Sequence, residues 1–175
     1  RRLAHLAMAG VPIVGTEPSC ILTLVDEYPQ LVRTHAARKV AAQAMMIETF
    51  LSRLLNDDPS ALEFTRPPAP LLYHAHCHQK ALVGSADAVA LLHRAWGDDA
   101  SEIDSGCCGM AGAFGHEVEH YEIARVIGEQ RLFPAVRDRG DARIAVSGFS
   151  CHEQIGHHTD AHPRYLVEYL ADAVV

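Results

Sequence analysis

Five cysteines, Cys20, Cys77, Cys107, Cys108 and Cys151, carry the chemistry open to this sequence. Their odd number and their setting beside His and Gly are unlike the paired staples of a small secreted fold, so metal or redox chemistry is the leading expectation. Thiolates are soft donors that suit zinc and iron–sulfur clusters. The remaining composition narrows the field. Fifteen Lys plus Arg against 22 Asp plus Glu leaves a net charge of −7, which disfavours nucleic acid and anionic bilayers as partners. No apolar run approaches the ~20 residues of a membrane span, and no signal peptide is visible, so a cytoplasmic location is expected. With 175 residues and 49% apolar content, one globular core is the working count. The opening Arg1-Arg2-Leu3, without an initiator Met, reads as the start of a piece cut from a longer polypeptide.

Elements that alternate between strand and helix must position these thiols. Residues 11–14, 71–75, 102–104 and 142–146 read as strands, and 36–55, 81–96 and 117–133 as helices from their apolar spacing. Pro163 is placed to open a last helix, with Tyr165, Leu166, Tyr169, Leu170, Ala173 and Val174 on one face. The fold class expected is therefore α/β, a mainly parallel sheet flanked by helices. Each Cys follows a candidate strand within a few residues. In an open parallel sheet the carboxyl ends share one edge, where the five thiols could meet and where helix starts would favour thiolate.

Three chemistries stay open for such thiols. A single zinc ion fits awkwardly, because no CxxC pair is present and the neighbouring side chains of Cys107 and Cys108 point apart in extended chain. A polynuclear iron–sulfur cluster accommodates neighbours better, since adjacent thiolates can bind different irons. A metal-free thiol–disulfide centre would require a strained vicinal pair. Gly106, Gly109, Gly112 and Gly115 surround the Cys pair, so backbone must approach something closely there, and Gly106 and Gly109 are candidate cofactor-binding positions. The loop matches neither a Walker nor a GxGxxG pattern.

The segments Gly15-Thr16-Glu17-Pro18-Ser19-Cys20, His76-Cys77-His78-Gln79-Lys80, Ser105-Gly106-Cys107-Cys108-Gly109-Met110 and Ser147-Gly148-Phe149-Ser150-Cys151 resemble the cysteine-rich CCG domain of heterodisulfide reductase and of glycolate oxidase iron–sulfur proteins. They are also similar to the carboxy-terminal part of bacterial FAD-linked oxidases such as D-lactate and D-2-hydroxyglutarate dehydrogenases. The resemblance covers roughly residues 10–155. It implies an electron-transfer domain with a [4Fe-4S]-type cluster on Cys77, Cys107, Cys108 and Cys151, no catalytic residue of its own, and FAD-binding and ferredoxin-like domains in the parent chain. The parent would be cytoplasmic or peripheral at the inner membrane. It further implies a single fragment over 1–175, with 1–35 the end of a first half-repeat, 36–65 a helical connector and 66–175 a complete second half-repeat. The family's closing CxxC stands here as Cys151-x-x-Gln154, so four thiolates remain in that half, and Cys20 is either a fifth ligand or an orphan.

Among other polar residues, His74, His76 and His78 alternate around Cys77 and would share one strand face. Their ordinary reading is structural, as it is for His152. Lys80 is either a surface residue at a helix start or a cation that tunes the thiols.

Overall fold

The computed structural model describes residues 2–175, and among them the elements run in chain order α1 (Ala4–Met8), β1 (Ile13–Gly15), α2 (Pro18–Val25), α3 (Glu27–Leu31), α4 (His35–Gln43), β2 (Ala44–Met46), α5 (Ile47–Asp57), β3 (Leu71–His74), α6 (Cys77–Leu82), α7 (Ala86–Trp96), β4 (Ala100–Glu102), α8 (Tyr121–Glu129), α9 (Leu132–Arg137), β5 (Arg143–Val146), α10 (Phe149–His158), β6 (Arg164–Tyr165) and α11 (Leu166–Ala173). Two parallel sheets result, β1-β2 and β4-β3-β5-β6. The α/β class with parallel strands between helices is as the sequence implied.

Period-two side chains explain the larger sheet. Leu71 and Tyr73 of β3 and Ala145 of β5 point into a core with Leu91, Leu92 and Trp96 of α7 and Leu166, Tyr169 and Leu170 of α11. Leu72, Ile144 and Val146 point the other way, toward Leu132, Phe133 and Val136 of α9 and Ile155 of α10. Each fully buried Leu or Phe stabilises by roughly 1.5–3 kcal/mol, so the three-layer arrangement is held from both faces. Cys108 and Cys151 belong to the second core. A smaller third core, Ile21, Leu22, Ala44 and Met46, holds the β1-β2 unit.

Three sequence readings are corrected. The helix expected over 36–55 is two helices separated by β2, because Ala44–Met46 pair in parallel with Ile13–Gly15 and sheet bonds override an amphipathic pattern that is continuous in sequence. Pro163 precedes the short strand β6, and the last helix begins at Leu166, although its buried face of Leu166, Tyr169, Leu170 and Ala173 is the one expected. His74, His76 and His78 do not share a strand face: the first ends β3, the second caps α6 and the third lies inside it.

Candidate metal centre

Four of the five cysteines come together. The Cys77 thiol is hydrogen-bonded with Cys107, Cys107 with Cys108, and Cys108 with Cys151, forming a row of sulfurs drawn from three separate segments. Cys77 is the first residue of α6, directly after the cap His76, whose Nδ1 accepts the His78 amide at 3.2 Å. Cys151 lies in the first turn of α10, and Cys107 and Cys108 sit in the loop after β4. Cys108 and Cys151 are buried, while Cys77 and Cys107 are partly open. Beside Cys107 opens a cavity of about 310 Å³ lined also by Ser105, Gly106, Ile127, Gln130 and Arg131.

Two glycines let these segments approach. A Cβ on Gly148 would lie 2.2 Å from the His76 ring, so only glycine allows the chain leading to Cys151 against the chain leading to Cys77. Gly109 has φ +96°, and a Cβ there would meet the Ala124 carbonyl oxygen at 2.0 Å. In that conformation its amide donates to Cys107 Sγ at 3.3 Å. Gly106 has open space around it and an ordinary φ, so neither packing nor strain demands glycine there.

The row shifts its thiols in opposite directions. Donation from Cys108, then from Cys77, drives the Cys107 thiol far below its ordinary pKa, helped by the Gly109 amide and the His76 ring. Donation from Cys108 likewise lowers Cys151, with His74 and His76 adding to it against the cost of burial. Cys77 and Cys108 are pushed up, first by giving their protons to these neighbours and then by burial. Cys77 opens a helix, yet its neighbour Cys107 and burial push its thiol up.

Cys20 is exposed in the first turn of α2, which packs against α6, the helix that Cys77 opens. Lys80 is partly buried, and its ammonium binds the Ser105 backbone carbonyl, tying α6 to the glycine-rich loop; it is not among the charges that shift any of the four thiols.

Four polar residues around the centre take contacts that the sequence reading did not give. His74 is fully buried, its Nδ1 2.7 Å from Ser105 Oγ and its Nε2 without a geometric hydrogen bond, beside Cys151. Gln154, one turn after Cys151, is buried with an unpartnered Nε2. Glu17 caps α2 through the Ser19 amide at 3.2 Å and also accepts the Phe149 amide at 2.7 Å, where Gly148 offers α10 no side-chain cap. Glu48, in the first turn of α5, is buried against Ser147. Only the capping pattern around Glu17 carries a local signal; the burial of the others comes from distant segments.

Among the described residues, no three His, Cys, Asp or Glu side chains are arranged as a site for one metal ion. The donors themselves are chemically suited to iron and sulfide: four thiols in a row, two of them adjacent in sequence and two already favoured as thiolates. They fit a group with several metal vertices better than a single tetrahedral ion.

No family model matches this chain. It is similar to a subunit of the anaerobic glycerol-3-phosphate dehydrogenase of Escherichia coli (strain K12), 26% identical over 169 residues, covering 97% of this chain and 42% of that protein. It is also similar to D-2-hydroxyglutarate dehydrogenase of the same organism, 26% identical over 173 residues, which cover 98% of this chain and 16% of that one. The enzyme of the same name from Pantoea ananatis is 29% identical over 154 residues, 87% of this chain and 14% of the relative. The chain thus spans less than half the length of these curated relatives. All are dehydrogenases or their subunits, which places this chain among oxidoreductase relatives. No helix among the described residues is long and apolar enough to cross a membrane.

Proposed function

We propose that this chain is an electron-transfer domain that holds an iron–sulfur cluster of the [4Fe-4S] type through Cys77, Cys107, Cys108 and Cys151. The row of four interacting thiols, assembled from three segments, is the observation that carries this reading. When bound, such a cluster supplies one-electron transfer, which lets a flavin that has taken two electrons from a substrate release them singly. The chain's own residues do the rest. The Gly109 amide and the His74 and His76 rings favour negative sulfur, and the second core shields Cys108 and Cys151 from water. Gly106, beside the cavity at Cys107, gives an approach to the centre on its open side.

The relatives support an electron-handling role over substrate choice. One is named for glycerol 3-phosphate and others for D-2-hydroxyglutarate, yet each resembles nearly the whole of this chain. In this reading the substrate, a 2-hydroxy acid, is oxidised elsewhere, at FAD in a parent protein with FAD-binding and ferredoxin-like domains. The parent works in the cytoplasm or peripherally at the inner membrane. Residues 1–35 end a first half-repeat, 36–65 connect, and 66–175 form the complete second half. Cys20, exposed on α2, is outside the ligand set.

Metal analysis of the full chain purified without oxygen tests this. Iron with acid-labile sulfide is the expected result. Zinc in place of iron, or no metal with freely titrating thiols, would overturn it.

A further inference from the structure

A second polar cluster joins segments that lead to the sulfur row, built around a carboxyl group that electron transfer by the thiols leaves unused. Glu48 is 2% exposed. Its Oε1 accepts the Ser147 hydroxyl at 3.3 Å, and its Oε2 is buried with no partner. With its own proton given to Glu48, Ser147 Oγ accepts from the Tyr73 hydroxyl, which shares that proton with Gln79 Oε1 3.3 Å away. Gln79 lies on α6, the helix that Cys77 opens, and Ser147 is followed by Gly148, whose backbone touches the His76 ring. One carboxylate is thereby tied by hydrogen bonds to both segments that deliver thiols to the centre.

The groups facing Glu48 leave its charge uncompensated. From β3 comes the Tyr73 phenol, which burial and Glu48 itself keep protonated. From α7 comes Asp87, another acid, held by Thr49 Oγ1 at 2.7 Å. The basic side chains of α7, His93 and Arg94, are engaged with the carbonyls of Gly97 and Pro59. Strands β1 and β2 bring only apolar residues or glycine to α5. Burial, set against its own backbone amide and the Ser147 hydroxyl, holds the Glu48 carboxyl up at about 7, with a smaller push from Asp87. An acid balanced near neutrality responds to any charge added nearby in low dielectric.

We propose that Glu48 is a redox-linked proton site, its carboxylate taking one proton from water when the sulfur centre gains one electron and returning it when the electron leaves. The inference rests on the reading of the four thiols as holders of a redox cluster. The electron comes from a reduced flavin and goes on to a one-electron acceptor; the only bond made and broken at Glu48 is the carboxyl O–H. Because the coupling is reciprocal, the proton raises the centre's electron affinity by the same factor as the electron raises the carboxyl's proton affinity.

The test uses the full chain loaded with ferrous iron and sulfide without oxygen, with both counted before any titration. Midpoint potentials are then measured between about pH 5.5 and 8.5 in the wild type, Glu48→Gln and Ser147→Ala, with reduced-minus-oxidised infrared spectra alongside. In the wild type the potential should fall as pH rises through neutrality, toward a limit of tenfold per pH unit, 59 mV for one electron, and reduction should raise a carboxylic-acid band. Glu48→Gln should load the same iron and lose both the slope and the band. Ser147→Ala keeps the acid but removes a bond that favours its ionised form, so its sloping region should move to higher pH; this variant decides the matter if Glu48→Gln does not fold. A fully loaded wild type with no slope, or a slope unchanged in both variants, would overturn the proton site while leaving the cluster intact. Failure of the wild type to take up iron and sulfide would instead remove the cluster reading on which the proposal stands.

Discussion

The two halves of the molecule treat their cysteines differently. Around the four-stranded sheet, Cys77, Cys107, Cys108 and Cys151 meet; in the β1-β2 unit, Cys20 remains exposed. Local sequence is alike in the two places, since Cys20 lies in the first turn of α2, just as Cys151 lies in the first turn of α10. What differs is the number of strands that feed segments to the same place. β3 lies between β4 and β5, and the segments that follow these three strands carry Cys77, the Cys107–Cys108 pair and Cys151. The thiols that interact are those carried by the segments that follow strands of the larger sheet.

The largest effect that would sharpen this contrast is expected at Cys108, which interacts with both Cys107 and Cys151. Cys108→Ser should abolish iron uptake in anaerobic reconstitution, read by iron and sulfide content; full retention would break the ligand assignment. The seam between the halves comes next. Glu48 has a folded pKa raised from 4.5 to about 7, so its contribution to stability is complete below pH 4.5 and lost as pH rises through about 7. Glu48→Gln should therefore stabilise the chain at pH 8 by about 3 kcal/mol and change little at pH 4, as denaturant midpoints at the two pH values will show. Gly109→Ala forces a Cβ onto the Ala124 carbonyl at positive φ and should cost at least about 2 kcal/mol in the same assay. Glu17→Ala removes the carboxylate that accepts the first amide of α10, with an expected loss of about 1 kcal/mol. Cys20→Ser should shift stability by no more than about 0.5 kcal/mol and leave iron content unchanged; loss of iron would show that the halves share one centre after all.

Much of this contrast was legible in the sequence. The runs at 71–75 and 142–146 became β3 and β5 with ends moved by a residue, because Val, Ile and Leu alternating over a few positions have little choice but a covered strand. Type and position singled out five thiols, and the set of four came from the family resemblance. The β2 strand was hidden inside a helical pattern, since Ala44, Met45 and Met46 are good helix formers and only β1 gives them a reason to extend. His74 and Glu48 were hidden for a related cause. A His among apolar residues and a Glu in a helix's first turn look ordinary, and their burial depends on segments about thirty and a hundred positions away, at Ser105 and Ser147. The sequence favoured thiolate at helix starts, whereas neighbouring sulfurs lower Cys107 and Cys151 and push up Cys77 at the start of α6.

The most direct measurement is a crystal structure of the full chain loaded with iron and sulfide without oxygen, with the iron located by its anomalous scattering. Iron bonded to the sulfurs of Cys77, Cys107, Cys108 and Cys151, with Cys20 unbound, is the expected result. Iron held elsewhere, or a lone ion on only some of these sulfurs, would contradict it.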